Sequence, residues 1–323
     1  METKPAPQPK TLMEAVRYFA DADRTLAMAV ELRWPEGVHC PTCGRTDVRF
    51  LSTRRIWECK EKHPKRQFSA KVGTIFEDSA LPLDKWFVAI WAVANCKNGI
   101  SSYELARAVG VTQKSAWFML HRIRIAMDAG SPTKMGGIVE ADETFIGGLA
   151  KNMHERKRKQ RVTAGGGDAD KMTVMGLIQR GDGKVASRVH ARVIRDRNAK
   201  AIQGVVREMV EPGSMVFSDS HMSYRGLSAD YFHAYVNHAV EYVRGHVSSN
   251  GVENFWSLLK RTVKGTYVSV DPHHLNRYLG EQAFRFNERK DNDLGRFRNV
   301  LGSVAGKRLT WKDLTNHALS PAF

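Results

Sequence analysis

The run Ile138-Val-Glu-Ala-Asp142 marks the point at which a sequence of helical pattern becomes one that favours strands. Two consecutive glycines precede it and indicate a boundary. Side chains alternate between the two faces of a strand, so Glu140 and Asp142 share one face and the intervening apolar residues the other. A strand with two acids on one face predicts a sheet whose polar side carries a site.

Two further acids stand where they can join this strand. Asp219 follows the predicted strand Met215-Val-Phe-Ser, and Glu253 lies near the start of a predicted helix that carries Lys260 two turns later. Carboxylates that converge in this way can hold two Mg²⁺ ions ~3.5 to 4 Å apart, as phosphodiester displacement requires. By spacing alone, unrelated caps and surface carboxylates explain Asp142, Asp219 and Glu253 better. Their placement on strand ends and a helix favours the metal site.

The elements around this strand predict an α/β domain with a sheet of mixed direction covered by helices. Gly181-Asp182-Gly183 predicts a tight hairpin turn within it. A Gly- and Lys/Arg-rich excursion, residues 147–170, interrupts the strand pattern. The predicted strands are 138–141, 172–178, 185–193, 215–218 and 232–236, and the predicted helices are 198–210, 223–228, 251–264 and 274–289. Upstream, the pattern predicts helices at 10–32, 83–94, 102–109 and 112–127 and short strands at 48–51 and 55–59.

Three cysteines and a histidine upstream have the spacing of a zinc site. Cys40 and Cys43 form a Cys-x2-Cys knuckle, and Cys59 and His63 follow it. Such a set supplies the four N/S ligands that structural Zn²⁺ prefers, and a ribbon this short has almost no core without a metal. Ordinary buried thiols are the alternative, and His39 is a second candidate for the fourth ligand.

The segment 101–127 has the pattern of a helix-turn-helix. Ser101 and Thr112 can cap its two helices, and a glycine separates them. The second helix would present Gln113, Lys114 and Arg122 outward, toward bases and phosphates. A plain helical hairpin is the alternative. The neighbouring ribbon and the overall charge favour DNA binding.

Composition points to the same partner. The chain has 323 residues, with 50 Lys and Arg against 34 Asp and Glu, which gives a net charge of +16. That excess favours a polyanion such as nucleic acid. Four cysteines are too few for a disulfide scaffold, and no apolar run reaches the ~20 residues that span a bilayer. We therefore expect a cytoplasmic protein associated with the nucleoid and not with a membrane.

Several motifs together resemble the bacterial insertion-sequence transposases of the IS1595 (ISXO2-like) superfamily. In chain order they cover about nine tenths of the sequence. They are Cys40-Pro-Thr-Cys-Gly, Arg66-Gln-Phe-Ser, Val72-Gly-Thr-Ile-Phe, Glu140-Ala-Asp-Glu-Thr-Phe-Ile-Gly-Gly, Phe217-Ser-Asp, Val252-Glu-Asn-Phe-Trp-Ser-Leu-Leu-Lys, Gly265-Thr-Tyr, His274-Leu, Arg277-Tyr-Leu and Phe284-Arg-Phe-Asn-Glu-Arg.

The resemblance implies a ribonuclease-H-like catalytic domain with a DDE triad and a trailing Lys. The triad positions match Asp142, Asp219 and Glu253, and the trailing Lys matches Lys260. The Cys-x3-His closure of the ribbon departs from the paired cysteines usual in the family. The implied activity is that of a DNA transposase, which needs Mg²⁺ or Mn²⁺ and acts on double-stranded DNA as a homo-oligomer.

We accordingly predict five regions. They are an N-terminal helical segment (1–33), a zinc ribbon (34–80), a helix-turn-helix region (81–135), a ribonuclease-H-like catalytic domain (136–295) and a C-terminal tail (296–323). Two alternatives stay open at this level. One is a metal-dependent nuclease that cuts without joining, and the other is a domesticated DNA-binding regulator without catalysis.

Overall fold

The computed structural model describes residues 7–128, 133–147, 171–236 and 248–316. The chain divides into two compact units. Unit 1 comprises residues 1–127 and 291–316, and unit 2 comprises residues 128–290 and 317–323. No helix in the described ranges is long and apolar enough to cross a bilayer.

Unit 1 combines a small sheet with helices from both ends of the chain. Capping boxes at Thr11 and Ser101 start its first and fourth helices, which satisfies backbone N–H groups that a helix start leaves without partners. Its helices are α1 (Leu12–Phe19), α2 (Ala22–Arg33), α3 (Leu83–Asn95), α4 (Ser102–Val109), α5 (Gln113–Met127) and two near the C-terminus, while its strands are β1 (Val48–Leu51), β2 (Ile56–Cys59) and β3 (Gln67–Phe68).

The three strands of unit 1 form an antiparallel sheet in the order β1-β2-β3. Its few apolar contacts are aromatic: Trp57 stacks on Phe68, and both contact the ring of Trp34. This cluster lies on one side of a sheet of only a few residues per strand. A sheet so small gains little from burial, which is consistent with a need for a metal.

The C-terminal segment corrects our prediction of a tail over residues 296–323. Residues 293–302 form helix α9 (Asp293–Gly302), and a short helix α10 (Trp311–Thr315) follows. Phe297 of α9 is fully buried and contacts Phe19, Phe87 and Trp91. The segment is therefore part of the core of unit 1. Leu294, Phe297 and Leu301 have helical spacing in the sequence, but the ring contacts of Phe297 join residues far apart in the chain, which a local pattern does not show.

Unit 2 contains a five-stranded mixed sheet. Its order is β6-β5-β4-β7-β8, with β4 antiparallel to β5 and parallel to β7. A strand in this central position has neighbours on both edges, so its backbone is hydrogen-bonded on both sides. The elements are β4 (Ile138–Ile146), β5 (Met172–Gln179), β6 (Arg188–Ile194), α6 (Ala199–Met209), β7 (Met215–Asp219), β8 (Phe232–Val236), α7 (Asn250–Thr262) and α8 (Leu275–Asn287).

Helices cover both faces of this sheet, as the mixed α/β prediction required. On one face, Val139 and Ala141 of β4 pack in a core with Ile202 and Val206 of α6. On the other face, residues of β5 and β6 pack against α7 and α8, as in the contact of Val174 with the core that holds Trp256. The acid-bearing face of β4 is the face covered by α7.

Three local predictions need correction. The strand pair β5–β6 is joined by the longer loop 180–187 and not by a tight turn at 181–183, because the Asp182 side chain accepts hydrogen bonds from the N–H groups of Lys184 and Val185. The first predicted helix is two helices, since Asp21 caps α2. The helix predicted over 251–264 ends as an α-helix at Thr262, and a wider π turn over Val263–Tyr267 follows it. Residues 148–170 of the basic excursion lie outside the described residues.

Candidate active site and metal centre

Strand register places two of the predicted acids at the same level of the sheet. Glu140 of β4 pairs with Phe217 of β7 in a parallel ladder. Two residues further along each strand stand Asp142 and Asp219. Equal offsets along paired parallel strands put side chains on the same face at the same height. Asp142, in the middle of β4, and Asp219, the last residue of β7, are therefore neighbours on the face that α7 covers.

Asp142 is a buried carboxyl whose surroundings oppose its charge. Burial raises the pKa of Asp142 to about 7, and the negative charges of Glu143 and Asp219 act in the same direction. The indole Nε1–H of Trp256 donates a hydrogen bond to Oδ2 of Asp142 at 2.9 Å and partly offsets the effect. An acid held in this state gains much from a nearby cation.

The other two predicted residues of the acid constellation lie on exposed or partly exposed positions. The backbone N–H of His221 donates to Oδ1 of Asp219 at 2.9 Å, which orients that carboxylate. Glu253, in the first turn of α7, is exposed, and the hydroxyl of Ser249 donates to its Oε1 at 2.9 Å. Lys260 is exposed two turns further along α7.

Strand register sets Asp142 beside Asp219, whereas Glu253 lies on α7. In the described ranges, one set of His, Cys, Asp or Glu residues places three or more ligand atoms within 4.8 Å of one another, and that set is the cysteine cluster of unit 1. The three acids do not form such a set. Asp142 and Asp219 share one face of the sheet, and α7, which carries Glu253, lies across that face.

Glu140, next along the same face, anchors the helix. Its buried carboxylate accepts the backbone N–H of Val252 at 3.0 Å and pairs with the guanidinium of Arg180 at 2.6 Å. Arg180 also donates to the backbone oxygen of Ser248 at 2.8 Å. Glu140 therefore fixes the start of α7, and with it the position of Glu253. The sequence showed the shared face of the acids but gave no signal that Glu140 and Arg180 pair.

A glycine on the neighbouring strand makes room for the indole that contacts Asp142. Gly176 of β5 is the residue directly opposite Asp142. A Cβ at Gly176 would lie 2.5 Å from Cη2 of Trp256, closer than real contacts allow. The absence of a side chain at this point lets the Trp256 ring lie over the strand and reach Asp142.

Glu143 is a buried acid that sequence reasoning did not select. It points to the opposite face of β4, where the buried hydroxyl of Tyr224 donates to it and Arg197 lies 3.9 Å away. Burial raises the pKa of Glu143, and the charge of Asp219 raises it further. The run Asp142-Glu143 was the available signal, since adjacent strand residues place one carboxyl on each face.

In unit 1 the four predicted zinc ligands meet. The ligand atoms of Cys40, Cys43, Cys59 and His63 all lie within 4.8 Å of one another. The Sγ of Cys40 is 3.5 Å from Nε2 of His63, and the Sγ atoms of Cys43 and Cys59 are 3.7 Å apart. The alternative ligand, His39, instead packs edge-on against Trp34.

The surroundings of the cluster suit a metal. Burial opposes ionisation of Cys40, but hydrogen bonds from the backbone N–H groups of Cys43 and Thr42 lower its pKa to about 7. Burial raises the pKa of Cys59. Nδ1 of His63 lies 2.6 Å from the carbonyl oxygen of Pro64. Donation from Nδ1 to that oxygen leaves Nε2 as the metal-binding nitrogen, a common arrangement around zinc.

The three residues of α5 that were predicted to contact DNA occupy different environments. Lys114 is exposed, with its Nζ 4.7 Å from the ring centroid of Trp311, while Gln113 donates to the hydroxyl of Ser102 at 2.8 Å. Arg122 corrects our prediction because it is buried. Its guanidinium donates to the backbone oxygens of Ile75, Glu77 and Leu309. It ties unit 1 together, because the later turns of α5 face the core.

Fold and site define a class of protein in which a ribbon with a Cys₃His cluster accompanies a mixed α/β domain that bears carboxylates on two adjacent parallel strands. The sequence profile of the ISXO2-like transposase domain matches residues 134–287. The profile of the transposase zinc-ribbon domain matches residues 21–61. The chain belongs to the ISXO2-like transposases, which confirms the resemblance seen in its motifs.

Relatives agree with this assignment. A protein of the transposable element ISH50 from Halobacterium salinarum is 28% identical over 278 residues, which cover 83% of this chain and 91% of that protein. A transposase-like protein from Haemophilus influenzae is 31% identical over 101 residues, which cover 31% of this chain and 81% of that protein. The first similarity is long enough to include residues of both units.

Proposed function

We propose that this transposase binds the terminal inverted repeats of an insertion sequence, cleaves the element's ends and joins the freed 3′-hydroxyl to target DNA. Membership of the ISXO2-like family and the similarity to a protein of a transposable element support a DNA-processing enzyme. The observation that carries the proposal is the parallel register that sets Asp142 beside Asp219, under a helix that bears Glu253 and Lys260.

We further propose that the catalytic domain is ribonuclease-H-like. The order β6-β5-β4-β7-β8 supports this, because three antiparallel strands in sequence are followed by two parallel strands on the other side of the first. In that arrangement the first strand is central and runs parallel to the fourth strand beside it. The acids of β4 and β7 then lie side by side on one face of the sheet.

Asp142, Asp219 and Glu253 are the residues that would hold two Mg²⁺ or Mn²⁺ ions. The donor set suits such ions, since all three are carboxylates. Burial, with smaller contributions from the charges of Glu143 and Asp219, raises the pKa of Asp142, and a bound cation would favour its charged form. When bound, two such ions activate the attacking oxygen and stabilise the leaving oxygen of a phosphodiester.

The chain's own side chains then have distinct tasks. Trp256 holds Asp142 in a fixed orientation through its indole N–H. The N–H of His221 holds Asp219 in the same way. Lys260, a compact charge on a flexible stem, contacts a phosphate at or beside the scissile bond. Glu140 keeps α7 at the distance these contacts require.

For unit 1 we propose a structural Zn²⁺ held by Cys40, Cys43, Cys59 and His63. The proximity of these four ligand atoms and the matching zinc-ribbon profile support it. Closure of the ribbon by a metal stabilises a sheet that has little core of its own.

Helices α4 and α5 are the elements we propose as a helix-turn-helix. Gly110, in the left-handed conformation at φ +64°, makes the turn between them. Within this motif Gln113 and Lys114 lie in the first turn of α5, the part of a recognition helix that contacts base edges. Arg122 has no part in DNA contact.

Because joining needs two element ends, we propose that the protein works at the nucleoid as a homo-oligomer assembled on DNA. The test uses purified protein, labelled DNA that spans an element end, and Mg²⁺ or Mn²⁺. Wild type should yield cleaved ends and joined products, while Asp142→Ala and Asp219→Ala should yield neither. The exposed Asp182→Ala serves as the matched control.

Three outcomes would distinguish the alternatives. Cleavage without joined product favours the nuclease. Binding of DNA without metal-dependent products from wild type favours the regulator. Equal products from wild type and Asp142→Ala contradict the assignment of the acids. Zinc content measured for wild type and His63→Ala tests the ribbon separately.

A further inference from the structure

A basic cleft lies in unit 2 at the far end of β4. It has a volume of about 510 Å³ and is lined by Lys171, Lys260 and Lys264 together with apolar residues of the π turn and the end of β4. Among the described residues that line it, none is Asp or Glu. Three ammonium groups around one cleft, without a carboxylate in its lining, form a surface for an anion.

The lysines come from two elements that the fold brings to this end of the sheet. Lys260 lies in the last turns of α7, and Lys264 lies in the π turn that follows, about 6 Å further along the helix axis. Lys171 directly precedes β5, whose first residue, Met172, pairs with Ile146 of β4. The cleft therefore begins at Lys260, beside the proposed active site, and extends away from it.

The backbone at the rim is held in an unusual form. Residues 263–267 form a π turn, and Val268 follows with a φ of +62°. A β-branched residue with positive φ is a genuine outlier, and this conformation costs free energy. Val268 is also 78% exposed, so its own burial does not repay that cost. Strain of this kind concentrates at binding sites, where the shape of the turn serves a ligand.

We propose that this cleft binds the phosphodiester backbone of the DNA strand as it leaves the active site, with Lys264 and Lys171 contacting phosphates beyond the one that Lys260 reaches. The inference rests on the proposed function, because it takes the substrate to be DNA. A volume in the range of small-ligand pockets accommodates one or two nucleotides. The apolar residues Val263 and Val270 give a surface for the deoxyribose between the charged groups.

The first test measures DNA affinity against salt concentration for Lys264→Gln, Lys171→Gln and the double variant. The probes are a short labelled duplex and the matching single strand, since phosphate contacts do not depend on sequence. Lys200→Gln is the matched control, because Lys200 is exposed on α6, which packs on the opposite face of the sheet. Each lost contact should reduce the salt slope by about 0.9 for duplex DNA or about 0.7 for a single strand.

We expect several-fold weaker binding at moderate salt for each single variant, a larger loss for the double variant and wild-type behaviour for Lys200→Gln. If the salt slopes of the lysine variants match that of wild type, the proposal that the cleft binds DNA is wrong. If millimolar inorganic phosphate competes with DNA for the protein while the lysine variants keep the wild-type salt slope, the cleft binds a free anion. That outcome would also contradict the proposal.

A second measurement on the unmodified chain does not depend on variants that fold. Lysines are acetylated with and without bound duplex, and the reactivity of each is followed by mass spectrometry. Lys264 and Lys171 should be protected together with Lys260, while Lys200 should stay reactive. If wild type cleaves and joins DNA but Lys264 stays reactive in the presence of duplex, the proposed role of the cleft is wrong and the proposed function stands. If wild type binds no DNA, both are wrong.

Discussion

At the scale of single residues, the most consequential group is Asp142. It occupies a buried position where its charge is opposed by burial and by the neighbouring acids, and a single indole N–H supports it. A carboxyl in this state is half protonated near pH 7. The protein itself does little to stabilise the charged form of this carboxyl. A divalent cation would stabilise it, and binding of the cation would release the proton.

The raised pKa of Asp142 predicts how stability depends on pH. Between its ordinary value of 3.8 and about 7, the folded protein keeps a proton that the unfolded chain has lost. The free energy of unfolding therefore falls as pH rises through this window. Asp142→Asn should remove that loss and stabilise the protein at pH 8 in Mg²⁺-free buffer, by up to roughly 4 kcal/mol.

The measurement is thermal unfolding from pH 4 to pH 8 for wild type and Asp142→Asn. Addition of Mg²⁺ should raise the Tm of wild type above pH 7 and leave that of Asp142→Asn unchanged. Asp182→Asn is the control, because backbone hydrogen bonds lower the pKa of that exposed carboxyl and it should not show the effect. Parallel curves for wild type and Asp142→Asn would contradict the burial of a titrating acid.

At the scale of elements, the pair of Glu140 and Arg180 sets the position of α7. Glu140→Gln should lower the free energy of unfolding by about 3–5 kcal/mol, because it removes the carboxylate that balances the charge of the partly buried Arg180 guanidinium. Denaturant unfolding measures the loss. The double variant Glu140→Gln/Arg180→Gln should lose less than the sum of the two single changes. Additive losses would mean that the two side chains are not coupled.

Gly176 gives a second prediction for elements. Gly176→Ala should displace Trp256 and abolish its hydrogen bond to Asp142, with a loss of DNA cleavage and of stability, since the added methyl meets the indole. Gly204→Ala, in the interior of α6 where nothing lies within 4 Å, should instead stabilise the protein by about 0.5–1 kcal/mol. If Gly176→Ala and Gly204→Ala have the same stability and the same DNA cleavage, the Trp256 ring can move away from residue 176 without loss of free energy.

The acids show how far sequence reasoning reaches. The alternation along residues 138–142 predicted which side chains of β4 share a face, and the structure agrees, because that pattern is local. The pairing of Glu140 with Arg180 joins residues forty positions apart and was invisible. The prediction that Arg122 contacts DNA was wrong for a related reason. Its charge indicated an exposed position, whereas three carbonyl groups from distant loops accept hydrogen bonds from its guanidinium in the interior.

At the scale of the molecule, unit 1 is assembled from both ends of the chain. Phe297 completes an aromatic core whose other rings come from the first hundred residues. Phe297→Ala should therefore destabilise unit 1 by about 3–5 kcal/mol. Zinc retention and the unfolding of unit 1, followed by its tryptophan fluorescence, measure the effect. The exposed Phe232→Ala, at the edge of the sheet in unit 2, is the control.

This arrangement has a consequence for the order in which the protein forms during synthesis. Unit 2 is continuous from residue 128 to residue 290, so nearly all of it emerges from the ribosome as one stretch and it can fold at once. Unit 1 must wait for the closing segment 291–316, although its first residues were made earliest. A message interrupted near its end would thus yield a chain with an intact acid-bearing sheet but no finished unit 1.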